Sequence, residues 1–126
     1  MLVGREQIKV RFHGIDCPER KQAFGNRARQ FTGDAAFGKL VTVIVRDKDR
    51  YGRTVGEVIL PDGRNLNHEL VKAGLAWWYV KYAKGDEKLQ RLEMEAREAK
   101  RGLWSDPHDE PPWEFRRKPK KTSGVP

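Results

Sequence analysis

Short segments with the character of β-strands occur along most of the first half of the chain. Residues 8–12 alternate apolar and polar side chains with the period of two that a half-buried strand shows. Residues 40–45 and 55–60 are rich in β-branched side chains, which favour strands. Residues 2–3 resemble the end of a preceding strand, and Pro-Asp-Gly at 61–63 indicates a turn. Several short strands joined by turns are typical of a small barrel or sandwich.

Three helical segments complete the pattern. The first has an apolar stripe with spacings of four, three and four: Phe24, Ala28, Phe31 and Ala35. Gly33 weakens this helix by about 1 kcal/mol of propensity. The second is predicted from a cap at Asn67 to Lys72, with Gly74 closing it, and the third begins at a cap on Asp86. Strands with one helix inserted among them, followed by helices, predict a β-rich α+β fold, of which a small antiparallel barrel with flanking helices is one form.

The charge balance favours polyanionic partners without proving them. The chain has 26 Lys and Arg against 18 Asp and Glu, a formal net charge of +8. Such an excess attracts nucleic acid through phosphate neutralisation, although it also serves solubility. Five basic and no acidic residues lie between 115 and 126. The sequence therefore predicts one compact domain over residues 1–114, followed by a basic and disordered tail over 115–126.

Cysteine content and hydropathy exclude several classes of protein. Cys17 is the only cysteine, so neither an intrachain disulfide nor a multi-cysteine zinc site can form. No run approaches the 18 or so apolar residues of a membrane span, and no membrane partner is expected. The chain shows no signal peptide at its N-terminus, which leaves secreted, periplasmic and cytoplasmic locations all open.

The segment 11–19 carries the chemistry. Arg11 near a strand end is followed by two carboxylates, Asp16 and Glu19, three positions apart and held by a proline. Carboxylates and carbonyls suit hard cations such as Ca²⁺, and arginine's planar fork suits phosphate oxygens. Arg53 can supply a second fork. Two carboxylates near a proline also occur in ordinary solvated loops, and a soft-metal site using His13, Cys17 and Asp16 is an alternative that fits no common zinc pattern.

Four motifs in order give this chain a family resemblance. Residues 11–19 contain Arg-x-x-Gly-Ile-Asp-x-Pro-Glu, which resembles the active-site signature of the staphylococcal nuclease family. Asp-Arg-Tyr-Gly-Arg at 49–53 is similar to the second signature of that family. Residues 67–77 resemble its next helix and strand, and Arg-Gly-Leu-Trp at 101–104 resembles the end of its last helix. The resemblance implies a five-stranded OB barrel with about three flanking helices.

The resemblance also implies roles at matching positions. Asp16 would ligate Ca²⁺ through its carboxylate and Cys17 through its backbone carbonyl. Glu19 would bind through water and hold or deprotonate the attacking water, while Arg11 and Arg53 would bind the scissile phosphate. The reaction implied is endonucleolytic cleavage of DNA and RNA.

The resemblance assigns substrate contacts to tyrosines. Tyr51 would contact the bound nucleotide, and Tyr79 or Tyr82 would form the wall beside the base, with single-stranded substrates preferred. The four tryptophans, by contrast, are better explained as core or helix-docking residues than as stacking platforms. They are Trp77, Trp78, Trp104 and Trp113.

Two departures from the family pattern shape the expectations. Cys17 stands where Thr or Ala is common, a change that a carbonyl ligand tolerates. An upstream Asp-Gly-Asp-Thr-like segment with a further calcium ligand has no counterpart. The first barrel strand is therefore expected to be missing, with weak nuclease activity and strand-swapped self-association as consequences. The rival to a Ca²⁺-dependent nuclease is a non-catalytic OB module that binds nucleic acid; an OB-type protein-interaction domain is a third possibility.

Overall fold

A computed structural model describes residues 2–3, 6–7, 10–19, 21–105 and 111–117 of the chain. The described elements form a mixed α+β fold in which short strands precede and surround the helices. The strands are β1 Leu2–Val3, β2 Glu6–Gln7, β3 Val10–Phe12, β4 Ile15–Asp16, β5 Thr42–Lys48, β6 Thr54–Ile59 and β7 Trp77–Trp78. The helices are α1 Gly25–Ala36, α2 Leu66–Lys72, α3 Glu87–Glu98, a 3₁₀ turn Gly102–Ser105 and α4 Pro112–Arg117.

Strand β6 is the centre of the largest sheet. It pairs in parallel with β3 and antiparallel with β5. Its residues alternate between buried and half-buried, with Thr54, Gly56 and Val58 on the buried side. A Cβ at Gly56 would lie 2.7 Å from the carbonyl oxygen of Ile44, so glycine lets β5 approach closely. The sheet thus holds residues 10–12 beside residues 54–56, although about 40 positions separate them along the chain.

Two further strand pairs complete the β-structure. β1 pairs antiparallel with β2, which confirms a strand at residues 2–3, and β4 pairs antiparallel with β7. Across the described ranges the strands therefore make three separate sheets, and the predicted five-stranded barrel is not confirmed. β5 pairs only with β6 there and exposes Val45. Self-association through a strand edge stays a prediction.

The helices supply half of the buried core cluster among the described residues. α2 packs on α3 and on β6, and α3 also packs on β7, because apolar side chains repeat on the inner faces of both helices. The fully buried members of this core are Val58, Leu66, Leu70, Val71 and Ala76, with Leu89 and Leu92 of α3 beside them. Gly74 adopts φ +75° after α2, and its carbonyl accepts a hydrogen bond from the amide of Leu103 at 2.8 Å. This contact fixes the end of α3 against the end of α2.

Two helix boundaries differ from the sequence-based prediction. Asn65, and not Asn67, caps α2, since its side chain accepts the amide of His68 at 3.2 Å. The two asparagines are only two positions apart, and either fits a cap pattern. α4 extends through Arg117, three residues into the predicted tail, and residues 118–126 lie outside the described part. None of the described helices is both long and apolar enough to cross a bilayer.

The predicted cap at Asp86 is confirmed. Its carboxylate accepts the amide of Leu89 at 3.0 Å and satisfies one of the open donors of the first turn of α3. We expect Asp86→Ala to lower the free energy of unfolding by about 1 kcal/mol in a denaturant titration. Glu98→Ala is the control, because removing an exposed acid from the last turn should be neutral or slightly stabilising. Equal effects of the two changes would contradict this role.

Candidate active site

The turn between β3 and β4 positions the first arginine and the first carboxylate. Arg11 lies opposite Val55 in the parallel pair, and the amide of His13 donates to the carbonyl of Gly56 at 2.9 Å. Gly14 then adopts φ +77°, and its carbonyl accepts the amide of Tyr79 at 2.9 Å. A Cβ at this position would lie 3.0 Å from both Ala83 and Leu89. Glycine is needed here because both the backbone angle and the close packing disfavour any side chain.

The buried side-chain amide of Asn67 holds the same turn. Asn67 is only 1% exposed, and its side-chain nitrogen donates to the carbonyls of His13 and Gly56, both at 3.1 Å. Its side-chain oxygen accepts the amide of Val58 at 3.2 Å. The pairing of β3 with β6 ends at Gly56, so Asn67 continues the hydrogen bonding of β6 where β3 turns away. It thereby ties α2 to the turn that precedes Asp16.

The second arginine is held in the tight turn between β5 and β6. One carboxylate oxygen of Asp49 accepts the amides of Tyr51 at 2.9 Å and Arg53 at 2.8 Å, and the other accepts Nε of Arg53 at 2.6 Å. Desolvation raises the pKa of the Asp49 carboxyl, but the hydrogen bonds from Arg53 and Tyr51 outweigh it and leave the pKa below its usual value. Asp49 therefore holds the guanidinium of Arg53 at Nε, the nitrogen nearest the main chain.

Both arginines line two neighbouring clefts. The first, of about 810 Å³, contains Asp16, Cys17 and Glu19, and we call it the carboxylate cleft. The second, of about 630 Å³, contains Tyr51 and Tyr82 with several basic side chains, and we call it the tyrosine cleft. Arg11 and Arg53 belong to the lining of each. A phosphate bound by this pair can therefore be reached by groups from both clefts.

Each arginine is also associated with a tyrosine ring. The guanidinium carbon of Arg11 lies 5.5 Å from the ring centroid of Tyr82, and that of Arg53 lies 5.8 Å from the ring centroid of Tyr51. Such cation–π contacts are attractive within about 6 Å. Both tyrosines are more than half exposed, at 76% for Tyr51 and 55% for Tyr82. Much of each tyrosine residue is therefore exposed to solvent beside its arginine.

Tyr79 occupies a different place from the other two tyrosines. It lines neither cleft, and instead its ring meets that of Tyr82 edge-on at 4.9 Å and stacks on Trp113 of α4 at 4.7 Å. The resemblance implies that Tyr79 or Tyr82 forms the wall beside the base. Only Tyr82 of these two lines the tyrosine cleft, and Tyr79 packs against its ring. Trp113 docks α4, in keeping with its predicted packing role.

The carboxylate cleft offers oxygen ligands of the kind that a hard divalent cation needs. Asp16 is fixed by pairing of β4 with β7, where it lies opposite Trp77, and Glu19 follows Pro18 in the same lining. The described residues contain no cluster of three or more His, Cys, Asp and Glu side chains suited to a metal. Two carboxylates with a backbone carbonyl and water nevertheless match the chemistry of Ca²⁺, with a sparse set of protein ligands.

The soft-metal alternative does not fit this arrangement. Burial, and to a smaller extent the charge of Asp16, raises the pKa of the Cys17 thiol to about 12. His13 lines the tyrosine cleft, whereas Cys17 and Asp16 line the carboxylate cleft. The structure therefore does not bring the three side chains into one site.

Sequence reasoning missed three contributors to the site. The sequence pattern predicts a helix cap at Asn67, and only its hydrogen bonds to the distant residues His13 and Gly56 reveal its role. Asp49 lies within a recognised motif, and its spacing of four from Arg53 was the available signal. Arg29 of α1 lines the carboxylate cleft, and its position on the helix carries no sequence signal.

Comparison with known proteins gives a family match over most of the chain. The family model described as staphylococcal nuclease homologue matches residues 9–106. The protein named ParB of Escherichia coli is 44% identical over 126 residues, spanning 93% of this chain and 71% of that protein. A micrococcal nuclease of Shigella flexneri is 43% identical, spanning 98% of this chain and 76% of that protein. A staphylococcal-like nuclease of Arabidopsis thaliana, CAN1, is 39% identical over 89% of this chain and 34% of that protein.

The matched span contains all four site residues on which the resemblance depended, namely Arg11, Asp16, Glu19 and Arg53. It covers well over half of the chain, and the bacterial relatives are similar along most of their own length. The chain belongs to the staphylococcal nuclease homologue family.

Proposed function

We propose that this chain, a nuclease by family, cuts single-stranded DNA and RNA internally and requires Ca²⁺ to do so. The family is one of metal-dependent nucleases that act on nucleic acid. The observation that carries the proposal is the lining of the carboxylate cleft, in which Arg11 and Arg53 lie with Asp16 and Glu19. Two cations for a phosphate and two carboxylates for a metal and a water are the groups that phosphodiester hydrolysis needs.

The arginines bind the scissile phosphate and stabilise its charge. In-line attack by water places additional negative charge on the equatorial oxygens of the phosphate. Arg53 is held through Nε by Asp49, so its terminal nitrogens are oriented before the substrate arrives. Arg11 is fixed by the register of β3 beside β6 and by contact with Tyr82. Both groups are thus placed in advance, which is the condition for strong transition-state stabilisation.

The two carboxylates would position the cation and the attacking water. Asp16 and the carbonyl of Cys17 would hold Ca²⁺, with Glu19 linked through water. When bound, the cation neutralises phosphate charge and polarises water. Glu19 orients the attacking water and accepts its proton as the bond to phosphorus forms, and the leaving oxygen takes up a proton from solvent.

The preference for single strands follows from the tyrosines. The exposed rings of Tyr51 and Tyr82 can stack only on bases that are not already stacked and paired in a duplex. The packing of Tyr79 on Trp113 fixes Tyr82 from behind. This recognition is tolerant of base identity, because every base offers a flat face. Cleavage should therefore depend on strandedness more than on sequence.

The test is a Ca²⁺ titration of cleavage of a labelled single-stranded oligonucleotide. With only two described carboxylates, half-saturation is expected at roughly 10⁻⁴–10⁻³ M Ca²⁺, and an excess of chelator should stop the reaction. Asp16→Asn should shift the requirement upward, whereas Asp62→Asn, which changes an exposed turn outside both clefts, should not. Undiminished cleavage in chelator would overturn the proposal. Binding without cleavage at any Ca²⁺ concentration would identify a non-catalytic binding module instead.

A further inference from the structure

Helix α1 forms a wall of the carboxylate cleft that the roles above leave unused. It contributes Arg29, Thr32 and Gly33, which are three and four positions apart and therefore share one face of the helix. Ala28 of the same helix is buried and anchors it to the core. The cleft thus has one wall from the sheet and its turn, where the arginines and carboxylates lie, and another from α1.

Arg29 gives this wall a positive charge. Its side chain is exposed, and it lines the same cleft as Asp16 and Glu19. Three arginines and two carboxylates therefore line the cleft before any cation binds. Arg53 is already paired with Asp49, which lines the other cleft. The hydroxyl of Thr32 is already used within the helix, where it donates to the carbonyl of Ala28 at 3.0 Å. Arg29 is therefore the polar side chain that this wall offers to a ligand.

Gly33 has no packing reason to be a glycine. A Cβ at this position would meet no atom within 4 Å, and its φ does not lie in the left-handed region. Glycine inside a helix is nevertheless less stable than alanine. The residue leaves open backbone surface in the cleft about one helical turn from Arg29, a rise of about 6 Å along the axis. That surface is suited to close approach by a bulky ligand.

We propose that the α1 wall is a second backbone-binding position for the substrate strand. Arg29 contacts a phosphate next to the scissile one, on the side of Asp16 and Glu19, and Gly33 provides the space over which the strand passes. Arginine recognises phosphate by charge and fork geometry, so this position binds single-stranded DNA or RNA without reading bases. The inference rests on the proposed function and extends its substrate site beyond the cleaved bond.

The first experiment measures binding without cleavage. Fluorescence anisotropy of a labelled oligothymidylate is followed in excess chelator over a range of salt concentrations. Arg29→Gln should weaken binding roughly tenfold at low salt and reduce the slope of log K against log salt by about 0.7, the value for one phosphate contact on a single strand. Arg27→Gln is the matched control, because Arg27 lies on the same helix, contacts Phe24 and lines neither cleft. The control should leave the slope unchanged.

The second experiment separates binding from folding at Gly33. Gly33→Ala and Gly33→Met both introduce good helix formers into open space, so each should raise Tm by about 2–5 °C. Each should also weaken oligonucleotide binding, and the longer side chain should weaken it more. Loss of affinity in a more stable protein cannot be caused by unfolding. A rise in Tm with unchanged affinity for both variants would show that the strand does not pass over Gly33.

The outcomes distinguish this inference from the proposed function. If the parent cleaves but Arg29→Gln and Arg27→Gln bind alike, only the second binding position is wrong. If Arg29→Gln changes the Ca²⁺ requirement of cleavage and leaves the salt slope intact, Arg29 serves the carboxylates and the inference is overturned. If the parent binds and never cleaves, the proposed reaction fails while the salt slope still decides the role of Arg29. A parent that does not bind the oligonucleotide overturns both.

Discussion

Replacing Arg53 with lysine should slow cleavage by roughly 10²–10³-fold, as the removal of one pre-oriented donor does at other anionic transition states. Lysine keeps the positive charge but loses the planar fork that can hold two phosphate oxygens at once. It also loses Nε, through which Asp49 holds the arginine at 2.6 Å. Binding of the uncleaved strand should change by less than about threefold, because the charge itself is retained.

The chain contains a close structural match for the control. Arg64 is held by Asp62 in another turn, with Nε at 2.7 Å from one carboxylate oxygen and its amide at 3.0 Å from the other. It lines neither cleft, so Arg64→Lys should leave the rate unchanged. Single-turnover cleavage with saturating Ca²⁺ gives the comparison. If Arg53→Lys cuts within about threefold of the parent, Arg53 is not the group that stabilises the transition state.

A second large effect is expected at the buried amide. Asn67→Ala should lower the free energy of unfolding by about 2–4 kcal/mol, since a buried donor or acceptor left without a partner costs about 1–3 kcal/mol. The amide of Val58 and the carbonyl of His13 both lose the Asn67 side chain. Cleavage should fall as well in samples that remain folded, because the turn before Asp16 loses its attachment to α2.

The neighbouring asparagine supplies the comparison for this change. Asn65→Ala removes a helix cap from the same end of α2, which should cost only about 1 kcal/mol and leave the turn in place. Urea denaturation measures the two losses, and cleavage at a temperature where both variants are folded measures the effect on the site. Equal losses of stability, with equal activity, would show that Asn67 does not hold the turn.

These two residues illustrate how far the sequence could predict the site. Arg53 belongs to a local motif, and the order of the motifs along the chain predicts that it lies with Arg11 and Asp16. Asn67 resembles a helix cap in sequence, and one of its partners, His13, lies 54 positions away. Local pattern carries no information about such a contact. The same limit applies to Trp113, whose stacking on Tyr79 depends on the docking of α4.

The fold was predictable to a similar degree. Helices α1 and α3 and strands β5 and β6 follow from periodicity and β-branched content, and the cap of α3 follows from Asp86. Family membership implies an OB-type fold, whereas the described strands form three separate sheets. Strand closure depends on pairing between distant segments, which periodicity along one segment cannot determine. The parallel partnership of β3 and β6 is likewise set by tertiary packing.

The parallel pairing of β3 with β6 also has a consequence for the timing of activity during synthesis. Arg11 leaves the ribosome before Arg53, and a loop of about 40 residues must close before the strands that carry them can pair. The strand that contains Asp16 can pair only after Trp77 has been synthesised. The hydrogen bond that joins the ends of α2 and α3 can form only after Leu103 has been synthesised. Chains grow at about 5–20 residues per second, so a nascent chain spends several seconds with its arginines apart. We therefore expect a growing chain to be harmless to nearby nucleic acid until the domain is nearly complete.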